Sequence, residues 1–276
     1  MTVHPLRRLR RDPGSAIGVG RTRLPLGTFY VAVLALLYLP ITILFVFSFS
    51  ANSRLSFPIE GFTFDQYAGV LADPSLLGAA RNSLIVAAAA ATAATVLGTL
   101  VAIATMRFHF RGRSALLGLA VLPLIVPFAV MGVAIFLLLV TLGIPKSLLT
   151  VALGHTVIAL PYATLIVLAR ISGLDPALED AAMDLGASYP MALRKVVLPL
   201  MGTALIASWL TSFVVSFDEV ALAVFLVGGE PTFPVMLYGR LRFGGQLPEL
   251  IAMAVLLMLA TVGLTLLALR LRRSPA

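Results

Sequence analysis

Two acidic residues stand side by side, Asp218 and Glu219, inside an apolar run from Leu200 to Gly228. A charged side chain at the centre of a membrane helix costs roughly 2.5 to 3.5 kcal/mol on insertion scales, so such residues face a cavity or a partner. Neighbouring positions on a helix differ in direction by about 100°, so the two carboxylates cannot point the same way. On one reading, one acid lines a path for an organic cation while the other bonds to a neighbouring helix or a partner subunit. On the other, both are structural and pair with Arg81, His155 or a backbone group. His155, alone in its own apolar run, is expected to be an interhelical hydrogen-bond partner, since no metal-ligand constellation surrounds it.

The second chemically distinctive stretch is a charged, glycine-punctuated island between two apolar segments, Asp180 to Pro199, within a loop that begins at Asp175. Asp175-Pro176 is a helix start: Asp accepts from the free amides of the first turn, and Pro is tolerated at the first helical position. Glu179 and Asp180 add negative charge at the positive end of the helix dipole. Leu178, Ala181, Ala182 and Leu185 recur at i, i+3, i+4 and i+7, giving one apolar stripe. Gly186 supplies a positive φ to end the helix. Ser188 is placed to cap a second helix entered by Tyr189-Pro190, with Arg194-Lys195 at the membrane boundary, and Pro199 closes the loop. A helix this short is unstable alone in water, so its stripe must pack on something. Either it covers the ends of its own bundle, or it meets another protein, for which Ala181 and Ala182 suit a groove.

The elements that position these residues follow from composition. Sixty per cent hydrophobic residues, 12% charged residues and a mean hydropathy of +1.04 describe an all-α polytopic membrane protein. Crossing about 30 Å of hydrocarbon takes about 20 apolar residues. Six such runs are present: Leu26 to Phe49, Ser83 to Thr105, Ser114 to Leu142, Leu148 to Ala169, Leu200 to Gly228 and Leu250 to Leu269. Six transmembrane helices place both termini on one side. With that side cytoplasmic, the basic residues of 7–23, Arg107, Arg111, Arg113, Arg170, Arg194, Lys195 and those of 270–273 lie inside. Only Arg54, Arg81, Lys146, Arg240 and Arg242 lie outside. That bias is what orients a membrane protein, and it explains the net charge of +8 without nucleic acid.

Residues 1–25 are expected to form a disordered, basic cytoplasmic tail. The first run is too long for a cleavable signal; it and an outer loop occupy 26–75. Residues 271–276 form a second tail. Small residues in the second span favour close helix approach inside the bundle, whereas Leu, Ile and Val mark the last span for the periphery. Pro123 and Pro127 predict a kink or break near Leu122 to Val126, either a gating element or a static kink. The outer loop from Ser50 to Asn82 has the turn signals of a short surface helix. Zero cysteines exclude disulfides and thiolate metal sites.

The island resembles the signature of the inner-membrane permeases of ATP-binding-cassette (ABC) importers: Glu-Ala-Ala, three residues, Gly, nine residues, Ile, any residue, Leu-Pro. Here Asp180-Ala181-Ala182, Gly186, Val196 and Leu198-Pro199 match at every spacing, with Asp for Glu, Val for Ile, and Glu179 one residue before. The resemblance runs from about Leu76 to Leu269 and makes 76–270 a permease core. Within it, Ser216-Phe217-Asp218-Glu219-Val220, Phe225 to Gly229 and Thr232-Phe233-Pro234 are similar to the C-type subunit of spermidine/putrescine permeases. Relatives for phosphonates, thiamine or ferric iron share parts of this pattern.

The resemblance implies a type I ABC importer permease fold in a bacterial inner membrane, forming half of a translocation path. It implies as partners a second permease, identical or different, two ATP-binding subunits and a solute-binding protein. Glu179, Asp180, Ala181, Ala182, Gly186, Leu198 and Pro199 would couple to the ATPase, and no cofactor is implied. The chain has no Gly-x-x-x-x-Gly-Lys-Ser/Thr phosphate loop, so the ATPase must be a separate polypeptide. The competing classes are a secondary transporter, coupling buried acids to an ion gradient, and an intramembrane enzyme, for which no nucleophile-base or metal pairing is found.

Overall fold

A computed structural model describes residues 26–52, 56–241 and 247–272. The expected tail 1–25 and the last four residues lie outside them. Two compact units are distinguished, Met1–Ile43 and Leu44–Ala276. The described part of the first is helical and belongs to α1 (Leu26–Phe47), which carries Pro40 within it.

In the second unit a Phe45, Phe49, Phe64 and Tyr67 cluster holds the outer loop, with ring centroids 5.1 to 6.2 Å apart. Tyr67 Oη shares a 2.7 Å hydrogen bond with Ser48 Oγ. Tyr67 belongs to α2 (Asp65–Ala72), the short helix expected there. Asp73 then ends α2 and opens α3 (Pro74–Arg107): its carboxylate accepts from Ser75 N at 2.8 Å, and Pro74 takes the first helical position.

The centre of the unit is α3 crossed by α6 (Leu148–Ile171) and α10 (Gly202–Phe217). Ala87, Ala91, Ala94, Gly98 and Ala102 recur every three or four residues along the buried face of α3, bringing backbones together where lipid gives no hydrophobic drive. A Cβ at Gly98 would fall 2.8 Å from the Thr164 amide nitrogen of α6.

The proline pair produces a break larger than a kink. α4 (Arg113–Val121) ends in a 3-10 turn, Leu122–Leu124, and α5 (Phe128–Thr141) departs at 108°. Pro123 opens the turn, and Pro127, at ψ 132°, ends it in extended backbone. Neither can donate an amide to a continuous ladder.

The island forms α7 (Ala177–Asp184), then α8 (Tyr189–Ala192), a π-turn over Leu193–Val197 and α9 (Leu198–Leu200). The chain then turns through 70° into α10. Pro199 has no N–H for the carbonyl four residues back. The ladder widens just before it, Leu198 N–H bonding Leu193 O. Arg170 holds the carbonyl left at the bend, donating to Leu200 O from Nε at 3.2 Å and Nη2 at 2.9 Å.

Beyond α10 come α11 (Ala223–Leu226), α12 (Phe233–Arg240) and α13 (Leu247–Arg272). Each of the six apolar runs thus falls on a helix or a broken helix. The fifth corrects the expectation: its long helix stops at Phe217 rather than near Gly228. α13 buries Leu250, Ala252 and Met253 and exposes Leu259 and Val262, as a peripheral span should, and it extends through Arg272. Among the described residues there is no strand, only an isolated Ser50–Phe62 bridge.

Candidate functional site

The island folds as its end signals require. Asp175 Oδ1 accepts from Ala177 N at 2.9 Å. At the other end Gly186 has φ +89°; its amide bonds Met183 O at 2.9 Å, and the Ala187 amide bonds Ala182 O at 3.1 Å. This pair of returning bonds closes the helix in a Schellman motif. Ser188 occupies the cap position of α8, but its side chain makes no capping bond.

The apolar stripe of α7 is left largely uncovered by the chain's own helices. Leu185 is 91% exposed and Leu178 44%, Ala181 is exposed, and only Ala182 is half-buried. Asp180, Gly186 and Pro199 are also exposed, and Leu198 is half-buried. Glu179 points the opposite way: it is the one buried residue of α7, 5% exposed. Its Oε1 accepts from Arg107 Nε at 2.7 Å, and Arg107 Nη2 donates to Leu174 O at 3.2 Å. Tyr189 meets the Phe108 ring edge-on at 5.5 Å. Burial, then the nearby negative charge of Glu179, raises the Tyr189 phenol above its usual 10.0, against the pull of Arg107. Nothing in the island's sequence announces Arg107 as the partner, because the two residues are 72 positions apart.

The two acids also separate, for a reason different from the expected one. They do not lie on a continuous helix: Asp218 caps the C-terminus of α10, and Glu219 begins the break before α11. Glu219 turns inward, 6% exposed, and its carboxylate accepts from the Leu222 and Ala223 amides at 2.9 to 3.0 Å. His155 Nε2 lies 3.5 Å away, and His155 Nδ1 shares a 2.8 Å hydrogen bond with Ser216 Oγ of α10. His155 therefore bridges two helices. Arg81 is exposed and takes no part. Among the described residues no cluster of His, Asp and Glu could hold a metal ion.

Asp218 faces out into an open cleft of about 470 Å3. Val214 and Phe217 of α10, Phe233 and Tyr238 of α12, and Leu257 and Thr261 of α13 line it. An isolated carboxylate among apolar and aromatic walls can hold a cationic nitrogen electrostatically, with ring faces as secondary partners. The wall formed by α12 is fastened to the start of α3: Ser83 Oγ accepts from Phe233 N at 2.8 Å, and Asn82 Nδ2 donates to Pro231 O at 3.2 Å. Arg240 Nη1 donates to Asp73 Oδ2 at 3.2 Å and Nη2 to Ser75 Oγ at 2.5 Å.

The chain is helical and apolar, with a capped loop helix whose stripe is largely uncovered and a single acid in an open cleft. Residues 94–274 match the family described as "Binding-protein-dependent transport system inner membrane component". The chain is 36% identical over 241 residues to the spermidine/putrescine transport system permease protein PotC of Escherichia coli (strain K12), covering 87% of this chain and 90% of that one. It is 35% identical over 236 residues to the putrescine transport system permease protein PotI of the same strain, covering 83% of each. In fold it resembles a bacterial ABC transporter involved in alginate import, with a TM-score of 0.70 at 13% identity over 90% of this chain and 94% of that one. The chain belongs to the family of inner-membrane components of binding-protein-dependent transport systems. It is a multi-pass permease subunit of an importer, not an enzyme, and the secondary-carrier reading falls away.

Proposed function

We propose that the chain forms half of the translocation path of an ATP-driven importer for polyamines such as putrescine and spermidine, and that α7 seats on a separate ATPase. The outward stripe of α7 carries this reading. A two-turn helix closed at both ends, with Leu178 and Leu185 left in solvent, is finished only by a partner. Asp180, Ala181 and Ala182 form its contact face, and Gly186 fixes its end. Leu198 and Pro199 set the bend that joins it to α10. Glu179 acts from behind, through Arg107. The island lies on the cytoplasmic side, with both chain ends, as the distribution of basic residues favours.

Asp218 receives the cationic nitrogen of the solute, whereas Glu219 serves the structure. A polyamine suits this cleft because its ammonium groups pair with carboxylate while its methylenes lie on apolar walls; the relatives named for these solutes support the same assignment. The complete importer contains two ATPase subunits, a second permease and a solute-binding protein.

Isolation through a tag on this chain should bring down an ATPase, and the cognate binding protein should bind putrescine or spermidine in preference to phosphonate, thiamine or ferric iron. A complex without ATPase would sink the coupling assignment. A binding protein that ignores polyamines would sink the substrate assignment alone.

A further inference from the structure

We propose that a groove between the ends of α3, α4 and α6 seats an anionic phospholipid of the cytoplasmic leaflet, its phosphate held by Arg111 and Arg113 and its acyl chain lying on Met106, Leu117 and Leu168. The choice of leaflet rests on the orientation given above. The groove shares no lining residue with the cleft beside Asp218.

The charge in this part of the chain has one sign. No Asp or Glu occurs between Asp73 and Asp175, so α3, α4 and α6 are built without an acid, whereas Arg107, Arg111 and Arg113 fall in one short stretch. Arg107 is taken by Glu179. The other ion pairs among the described residues use His155 and Arg240, which leaves Arg111 and Arg113 without an acid. Arg111 is exposed, but Arg113 is half-buried and keeps only part of its water. A phosphate completes such a guanidinium, because it accepts two N–H groups at once.

The turn between α3 and α4 makes the groove. Gly112, at φ +92°, reverses the chain so that α4 packs back against α3 and α6. The three helices leave about 350 Å3 between them, lined by Met106, Phe110, Leu117 and Leu168 together with Arg113 and the exposed Ser114. Leu165 stands three residues before Leu168, on the same face of α6, and is exposed. The apolar wall therefore continues from the groove along a helix long and apolar enough to cross a membrane.

A cationic rim joined to an apolar wall that runs into a span matches a lipid, with its headgroup at the boundary and its chain towards the middle. The cytoplasmic leaflet supplies the anionic headgroups. A soluble partner could meet the rim, but it could not follow the wall past Leu168 into hydrocarbon.

The test uses the complex isolated through a tag on this chain, in nanodiscs of phosphatidylcholine doped with photoreactive phosphatidylglycerol or, in parallel, photoreactive phosphatidylcholine carrying the same acyl diazirine. Adducts on Met106, Leu117 and Leu168 are quantified by peptide mass spectrometry. Phosphatidylglycerol should give several-fold more adduct than phosphatidylcholine. The double variant R111Q/R113Q should bring the two yields together. Leu117→Trp, which fills the groove and keeps both charges, should lower the phosphatidylglycerol adduct on Leu168. Inorganic phosphate, compared with chloride at matched ionic strength, should leave the yield unchanged. Size-exclusion elution with the same subunits checks that each variant assembles.

Equal yields from the two lipids in the parent overturn the proposal, as does a preference that survives R111Q/R113Q. Competition by phosphate identifies a free anion as the ligand and rejects the lipid. Absence of lipid adducts on the three residues means that another subunit covers the groove, which also rejects it. Ser114→Cys, treated with a membrane-impermeant maleimide, checks the leaflet separately: labelling from outside intact cells refutes it. Loss of the ATPase from the parent complex refutes the motor assignment and leaves the groove adducts standing.

Discussion

Single residues divide the work of the site. Gly186, at φ +89°, occupies backbone that costs a residue with a Cβ roughly 1–2 kcal/mol, and its Cβ would meet nothing within 4 Å. Gly186→Leu should therefore insert normally yet lose stimulation of ATP hydrolysis by the binding protein, since the end of α7 is displaced. Normal stimulation in reconstituted vesicles would refute this. Asp218 and Glu219 should fail differently. Asp218→Asn weakens putrescine uptake in a complex that still assembles. Glu219→Ala frees two buried amides at about 1–3 kcal/mol each, and registers first as a lower unfolding temperature in detergent. Which acid turns outward was not legible in the sequence. Ser216 to Leu222 contains no Gly or Pro, so nothing local announces a break. It is made by Glu219 turning back onto the Leu222 and Ala223 amides beside His155, a residue of another helix. By contrast, Asp175 and Gly186 were legible because capping is local chemistry, read within three residues.

Among the elements, the breaks and crossings matter more than the lengths. The proline pair at 123 and 127 announces a break, but its size, 108°, depends on where α5 finds packing against α11 and α6. The small-residue stripe of α3 predicts burial, and the crossing at Gly98 shows how little room remains. Gly98→Val forces the Thr164 backbone aside, at a cost of about 1–3 kcal/mol. Thermal unfolding in detergent should show the loss, and an unchanged midpoint would mean that α3 and α6 slide apart freely. The tie between α12 and the start of α3 should depend on acid. Desolvation pushes Asp73 up, but hydrogen bonds from Ser75, Arg240 and Leu76 outweigh it and hold the carboxyl below its usual 3.8. A depressed carboxyl contributes stability that is complete above pH 3.8 and is lost as pH falls through the lower folded value. Arg240→Gln should shrink this acid-dependent part of the unfolding midpoint; an identical pH profile in the variant would exclude Arg240 as a contributor.

The molecule as a whole was the most legible scale: composition sets the solvent, each of the six apolar runs falls on a helix or a broken helix, and the basic residues favour an orientation. Long-range pairings such as Arg107–Glu179 stayed hidden because neither residue carries a local signal for the other. The outward stripe of α7 has a consequence before transport begins. A chain synthesised ahead of its ATPase displays Leu178, Leu185 and Met191 to water, and quality-control proteases select for unfinished apolar surface. Pulse-chase should find the lone chain turning over faster than the co-expressed one, with Leu185→Ser lengthening the lifetime of the lone chain. Equal lifetimes would mean the stripe is not recognised. The helix proposed to receive mechanical work would then also keep the stock of permease in step with the supply of its motor, with orphans removed by the very residues that identify them.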